Sequence, residues 1–299
     1  MARPRRIGDP LRDSIGQPDP IILPDPSRLF VLRAGRLRTL ADGHPMAGWL
    51  RFMADLAEAQ QAAGDAMPLA AAVDVTQAVD AGMPPLAADG HDRDPSWRAA
   101  LAVIVTQADG PALPDQARDV LARLRDADPN RLADDYLRGT LSAALAGEAL
   151  FVALALQAYF THRAAALPVA SLRLLPQRGL CPVCGSAPVA GVITAAGKAP
   201  GTRYLHCGLC ATAWNHVRAM CIGCGESRGL ALQTIEGFAG PVKAETCDTC
   251  HGYAKMLYQA EDMAVEPMAD DLATLGLDML VGEAGWSRLA PNPLILAGR

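Results

Sequence analysis

The residues of this 299-residue sequence whose types and spacing could do chemistry are its eight cysteines, all of which lie after residue 180. They form four C-x2-C pairs: Cys181 with Cys184, Cys207 with Cys210, Cys221 with Cys224, and Cys247 with Cys250. The last two pairs repeat the first two at a constant offset of 40 residues, so the unit C-x2-C-x22-C-x2-C occurs twice. This repeat indicates an internal duplication of a metal-binding unit.

A C-x2-C turn directs two thiolates at one ion, and two such turns supply the four-sulfur tetrahedron that zinc and single-iron sites favour. Gly185 and Gly225 follow the second cysteine of their pairs, where a positive φ is often needed. The spacing therefore predicts that the eight cysteines hold two metal ions, iron or zinc. Each 22-residue insert is long enough for a hairpin, with strands over residues 189–194, 202–206, 230–235 and 241–246.

Two other arrangements of the cysteines remain open. Disulfides within the pairs are possible in a redox protein, although a thioredoxin-like motif has one pair beside a βαβ unit. The ligands could also interleave in a cross-brace, but a duplication favours sequential sites in which each copy is complete. We expect surface or supporting roles for the histidines beside the cysteines, His206 and His251, and structural or exposed positions for His44, His91 and His162.

Charge argues against a nucleic-acid partner. The chain carries a net charge of −5, and residues 181–258 hold six basic and four acidic side chains. The side chains of this region therefore sum to +2, and each divalent ion with four thiolates adds −2. With two ions bound, the net charge of the region would be about −2, which does not attract a phosphate backbone. The sequence also has no G-x-G-x-x-G motif, P-loop or nucleophile elbow, and we identify no catalytic or organic-cofactor residues.

The elements that must position the cysteines belong to an α+β fold. We predict a flexible arm over residues 1–25, an all-helical domain over 26–175, a first four-cysteine module over 176–218, and a second over 219–299 that ends in a helix. Helical patterns run through 26–41, 45–63 and 96–108, and another helix starts at 114–115 with apolar residues up to 124. A short segment follows over 129–138. The helix over 263–281 carries Asp270 and Asp271, which we expect to cap it and to face solvent.

An apolar segment over residues 141–160 has the length of a membrane span. Glu148 lies near its middle and Gln157 near its end, and a central acid is costly in lipid. We therefore expect a buried core helix. The basic N-terminus has no apolar run behind it, so we expect a cytoplasmic protein whose cysteines are metal ligands or redox thiols.

Several segments resemble the formate dehydrogenase accessory proteins, the FdhE family. The similarity lies in residues 29–60, 155–161, 181–192, 203–225, 245–255 and 269–280, and it includes all four C-x2-C pairs behind a helical domain. It implies tandem rubredoxin-like modules in which the eight cysteines are the metal ligands. It also implies a cytoplasmic maturation factor, not an enzyme, that contacts the catalytic subunit of formate dehydrogenase.

Two classes of function stay open at this point. In the first, the metal ions hold small ribbons in shape, and the protein binds the immature catalytic subunit. In the second, an iron–thiolate centre transfers electrons to the same enzyme or protects its redox site. Neither the metal nor the oligomeric state follows from the sequence, because iron and zinc both accept four thiolates.

Overall fold

The computed structural model describes residues 16–70, 72–110, 113, 115–235, 240–290 and 292–295. It combines a block of helices with one β-sheet. Among these described residues, seven α-helices precede the cysteine-rich region: α1 (Leu29–Ala41), α2 (Ala47–Asp65), α3 (Thr76–Asp80), α4 (Ser96–Ala108), α5 (Asp115–Asp126), α6 (Pro129–Arg138) and α7 (Ala146–Ala165). Two more follow it, α8 (Pro267–Ala273) and α9 (Leu275–Glu283).

The central helix of the first block is α7. By length and composition Ala143–Ala165 could cross a membrane, but 72% of its most apolar window is buried inside the protein. The helix contacts α2, α4, α5 and α6, which surround it. Glu148, the acid in this segment, is 1% exposed and pairs with Arg123 of α5. A helix that is apolar on every side is a core helix when neighbours cover it on every side, as they do here.

Local sequence explains where the flanking helices begin and end. In α6 the side chain of Asp128 accepts a hydrogen bond from the backbone N–H of Asn130, and Pro129 occupies the first turn. Gly139 then ends the helix with a φ of 70°. The predicted start of α7 at residue 141 is too early, because residues 143–145 form a 3-10 turn first. The five-residue helix α3 was not predicted, since it is too short to show a periodic pattern.

The cysteine-rich region forms a single sheet. Its strands are β2 (Pro188–Ile193), β3 (Arg203–Cys207), β4 (Ala213–Asn215), β5 (Leu230–Gln233), β6 (Val242–Cys247) and β7 (Gly252–Tyr258). Two short strands, β1 (Ile21–Ile22) and β8 (Ser287–Arg288), lie outside this region in the chain. The strand order is β1-β4-β3-β2-β7-β6-β5, and β8 pairs with β7. The four predicted strands correspond to β2, β3, β5 and β6, and the other four strands were not predicted.

The duplication is visible in the sheet. Each copy contributes an antiparallel three-stranded unit, β2-β3-β4 and β5-β6-β7. The two units join through parallel pairing of β2 with β7, where Gly191 lies opposite Met256. A Cβ atom on Gly191 would come within 2.6 Å of the Met256 sulfur, so only glycine fits this junction without a shift. The tandem modules are therefore halves of one continuous sheet.

Part of the N-terminal arm is ordered, contrary to the expectation of a flexible segment over residues 1–25. Residues 1–15 lie outside the described residues. Within the described part, β1 pairs with β4, and Ile21 is only 3% exposed. The hydroxyl of Tyr204 also donates to the backbone carbonyl of Asp19 at 2.9 Å. The edge of β4 supplies these hydrogen bonds, and a two-residue strand leaves no sequence pattern of its own.

The predicted C-terminal helix over 263–281 is two helices, which separate at Thr274. The ammonium group of Lys255 in β7 donates to the carbonyl oxygens of Asp271 and Thr274 at 3.0 Å each. At the break between the helices, these carbonyl oxygens accept hydrogen bonds from Lys255.

The expectation that Asp270 and Asp271 face solvent is wrong. They are 2% and 0% exposed and form ion pairs with buried basic residues. Asp270 pairs with Arg36 of α1, and Asp271 pairs with Lys255. Two adjacent acids look like a solvated helix surface when their partners lie far away in the sequence.

Candidate metal centres

The sulfur atoms of the eight cysteines lie in two groups. Within each group the four atoms are all within 4.8 Å of one another. We call the group of Cys181, Cys184, Cys207 and Cys210 the first centre, and the group of Cys221, Cys224, Cys247 and Cys250 the second centre. The grouping is sequential, so each centre uses one copy of the repeated unit, and no cross-brace is present.

Sulfur separations fit a common central ion. In the first centre Cys181 and Cys210 are 3.5 Å apart, and Cys184 and Cys207 are 3.3 Å apart. In the second centre the two corresponding distances are both 3.7 Å. The edge of a tetrahedron with metal–sulfur bonds of about 2.3 Å is roughly 3.8 Å, close to these values. All eight cysteines are free, so the pairs are not disulfides in this structure.

Each C-x2-C turn has the same backbone geometry, with a positive φ four positions after its first cysteine. Gly185 and Gly225 have φ values of 76° and 75° there, as the sequence predicted. Ala211 and His251 take the same conformation at 56° and 51°, although neither is a glycine. Such strain in residues with a Cβ persists where the surroundings impose it. The sequence signal for these two residues is their place in the repeat.

Backbone hydrogen bonds close the turns. The N–H of Gly185 donates to the carbonyl of Cys181 at 2.9 Å, and the N–H of Gly225 donates to that of Cys221 at 3.0 Å. Other backbone N–H groups point at sulfur, and those of Leu209 and Cys210 lie 3.3 and 3.4 Å from the sulfur of Cys207. N–H groups aimed at sulfur stabilise the thiolate form that a metal requires.

The pKa values of the thiols differ within each group. Burial raises the pKa of Cys181 and of Cys210 in the first centre. In the second centre burial raises the pKa of Cys221 to about 12. Burial acts in the same direction on Cys247, but N–H groups of Cys250 and Thr249 and the neighbouring thiols outweigh it and lower its pKa to about 7. Four thiolates this close repel one another, and a divalent cation at their centre would remove that repulsion. The donor set therefore fits a thiophilic ion such as Zn²⁺ or iron.

The two centres differ in exposure. Every sulfur-bearing residue of the first centre is at most 3% exposed. In the second centre Cys221 and Cys247 are buried, whereas Cys224 and Cys250 are exposed. The repeat spacing is identical in both, so the difference comes from the rest of the chain.

The histidines beside the cysteines belong to neither group of four sulfurs. His206 is half-buried in β3, where burial lowers its pKa to about 4. His251 is exposed, and its backbone N–H donates to the carbonyl of Cys247 at 2.9 Å. His44, His91 and His162 contact, respectively, the carbonyl of Ala273, the hydroxyl of Tyr159 and the carbonyl of Pro68.

A buried ion-pair network fastens the C-terminal helices to the sheet near the centres, and sequence reasoning missed it. Lys255 is fully buried and lies 3.2 Å from Asp271 and 2.6 Å from Asp278. Arg288 pairs with the same two carboxylates and also donates to the carbonyl of Val189. Two cations face two carboxylates, so the buried charges balance.

A second buried pair connects the two modules. Arg203 of β3 is 2% exposed and lies 2.6 Å from Glu245 of β6. Its guanidinium also donates to the carbonyls of Arg218 and Met220 in the segment that leads to Cys221. The position one repeat later holds Lys243, which instead pairs with Glu261 at 2.6 Å and lies over the ring of Tyr258.

Comparison with known proteins shows which family has this architecture. Family models described as the FdhE N-terminal, central and C-terminal domains match residues 18–176, 180–218 and 219–295. An FdhE homologue of Edwardsiella ictaluri is 41% identical over 95% of this chain and 94% of its own length. One from Haemophilus ducreyi is 36% identical over 93% of this chain and 92% of its own length.

A solved structure agrees with these matches. The crystal structure of the FdhE protein from Pseudomonas aeruginosa superposes with a TM-score of 0.81 at 36% identity and covers 93% of this chain and 99% of that one. The similarity of sequence and of fold extends through the helices and both cysteine groups. The chain belongs to the FdhE family.

Proposed function

We propose that this chain is a cytoplasmic accessory protein for the maturation of formate dehydrogenase, and that it binds the immature catalytic subunit without being an enzyme itself. Membership of the FdhE family supports this function, and the main structural observation behind it is the two groups of four thiols. In this proposal residues 26–175 are the helical domain, residues 176–218 the first metal module and residues 219–299 the second.

In this proposal the eight cysteines are the ligands of two ions, iron or zinc. A bound ion would neutralise the thiolates and hold the C-x2-C turns together. The residues between the turns could then keep one shape without a large apolar core of their own. Binding of a partner by these loops would depend on the ions, since loss of an ion would release the turns that shape the loops.

Co-purification with the catalytic subunit of formate dehydrogenase tests the partner. We expect anaerobically purified wild-type protein to carry two metal ions, to capture the subunit and to oxidise no formate alone. Cys224→Ser should weaken capture, because the open tetrahedron exposes the ion to water. Thr249→Ser is the matched control, because Thr249 lies in an exposed turn of the same centre and directs its backbone N–H at sulfur.

Undiminished capture by a variant with all eight cysteines changed to serine would contradict this role of the modules. Recognition would then belong to the helices alone. Circular dichroism of each variant must show that the helices remain folded.

A redox role is the second candidate, and two observations favour it: N–H groups point at sulfur in the first centre, and two cysteines of the second centre are exposed. Such hydrogen bonds and such exposure both set the potential of an iron–thiolate centre. Reversible reduction of the as-isolated iron form, together with loss of partner activity in a zinc-substituted protein, would support this function over simple binding.

A further inference from the structure

The two centres have the same ligand spacing but different surroundings. In the first centre all four residues of each C-x2-C turn, 181–184 and 207–210, are buried. In the second centre residues 223–225 and 248–251 are exposed. The contrast concerns whole turns, so a change of one cysteine rotamer would not remove it.

A loop of the helical domain covers one side of the first centre. The backbone N–H of Leu86 donates to the carbonyl of Val183 at 2.9 Å, and the N–H of Ala88 donates to the carbonyl of Cys184 at 2.8 Å. Leu86 is itself fully buried. These two hydrogen bonds join the loop over residues 84–88 to the first turn as an extra strand would.

The other side of the first centre is covered by α7 and by the C-terminal segment. The side-chain amide of Gln157 donates to the carbonyl of Gly208 at 2.8 Å. A Cβ atom on Gly208 would lie 3.2 Å from the ring of Pro293, so this ring packs directly over the turn. With these contacts the four cysteines of the first centre are at most 3% exposed in the described part of the chain, which hinders the approach of water or an entering ligand to their sulfurs.

The second centre has cover on one side. Leu289 packs against Gly223 and Gly252, where an added Cβ would approach its side chain within 2.6 and 2.5 Å. The exposed residues, Cys224 and Cys250, come from different turns, so the open side holds one cysteine of each C-x2-C pair. An ion held there would keep two buried ligands, Cys221 and Cys247, while its other two ligands face solvent.

We propose that the second centre is an exchange site, which passes its metal ion to an external thiolate donor or receives it from one, while the first centre retains its ion. This inference rests on the proposed metal binding. Release would take four replacements, each forming one metal–sulfur bond to an entering thiolate as one bond to a cysteine breaks, first at Cys224 and Cys250 and last at the buried Cys221 and Cys247. Loading would be the same sequence in reverse. The proton lost by the entering thiol is balanced by one gained by the released cysteine, and the oxidation state of the ion does not change.

Metal release from the zinc-loaded full-length protein tests the proposal. With excess chromogenic chelator, 4-(2-pyridylazo)resorcinol, we expect one equivalent to leave at least about tenfold faster than the other, a ratio in the range that outer-shell changes produce in metal sites. Cys221→Ser should retain only the slow equivalent and Cys181→Ser only the fast one. Ala88→Pro, which removes the N–H that binds Cys184, should accelerate the slow phase and leave the fast phase unchanged.

Two measurements on wild-type protein need no variant. Alkylation with iodoacetamide during the fast phase should label cysteines of the second centre and spare those of the first. Exchange of labelled zinc in the fast phase should accelerate with dithiothreitol concentration, as associative attack by a thiolate requires.

Three results would overturn the exchange site while leaving both metal centres in place. They are release of both equivalents in one phase, alkylation of the first centre during the fast phase, and an exchange rate that is independent of dithiothreitol concentration. Protein that binds no metal would instead overturn the metal centres themselves.

Discussion

The side-chain amide of Gln157 in α7 donates a 2.8 Å hydrogen bond to the carbonyl oxygen of Gly208, between Cys207 and Cys210. Gln157 is 2% exposed, and its own oxygen accepts from Gln60 at 3.1 Å and from Arg33 at 3.4 Å. Arg33 in turn pairs with Glu266 at the start of α8. One polar residue in an apolar helix thus connects α1, α2 and the C-terminal helices to a turn of the first centre.

Replacement of this glutamine should destabilise the protein. Gln157→Leu keeps the volume but leaves the Gly208 carbonyl and the Gln60 amide with fewer partners, and each such buried group costs about 1–3 kcal/mol. We expect a lower free energy of unfolding in urea at unchanged metal content. Thr161→Val is the control on the same helix, because the buried Thr161 hydroxyl makes no hydrogen bond among the described residues. A Gln157→Leu protein as stable as this control would show that the connection is not energetically important.

Loss of one ligand should empty one centre. Cys181→Ser is expected to reduce the metal content from two equivalents to one and to leave the second centre loaded, because the two groups share no sulfur atom. Cys221→Ser should give the reciprocal result. Metal analysis of anaerobically purified protein measures both. Loss of both ions from either change would mean that the shared sheet couples the two sites.

Removal of the buried lysine should cost more than removal of an exposed one. Lys255→Met leaves Asp271 and Asp278 with Arg288 as their remaining cation, and breaking a buried pair in this way costs about 3–5 kcal/mol. Lys243→Met is the matched control in β6, where the partly exposed pair with Glu261 contributes roughly 1 kcal/mol or less. Urea denaturation of both variants gives the difference. Equal losses would contradict the importance of burial.

Stability should depend on pH through His91. Burial, followed by the charges of Arg163 and Arg93, lowers the pKa of His91 below 6.5. The unfolded chain therefore binds more protons than the folded one just below pH 6.5. Protonation of His91 thus favours the unfolded chain, and the free energy of unfolding decreases as the pH falls through this range. His91→Gln should flatten the fall in unfolding free energy between pH 7.5 and 5.5, whereas His162→Gln controls for loss of a histidine elsewhere in the helical domain. An unchanged slope in His91→Gln would assign the pH dependence to other groups.

The sequence was sufficient for the local features. The constant 40-residue offset predicted two four-cysteine groups in sequential order, because ligands repeated without insertion must meet in each copy in the same way. Gly185 and Gly225 marked the turns, and periodic apolar residues marked α1, α2, α4 and α5. Pro129 marked the start of α6, and a continuous apolar run marked α7. These features depend on residue types and on spacing along the chain, so the sequence alone determines them.

Tertiary structure decided what the two copies do not share. Only the folded chain brings the loop over residues 84–88 and Gln157 of α7 onto the first centre, and only there do Asp271 and Lys255 meet. Parallel pairing of β2 with β7 likewise joins residues 65 positions apart, such as Gly191 and Met256. Identical spacing determined identical ligand sets, but packing from distant segments buried one centre and left Cys224 and Cys250 of the other in contact with solvent. Solvent exposure is set by whichever segments happen to cover a site, and no pattern within the site encodes them.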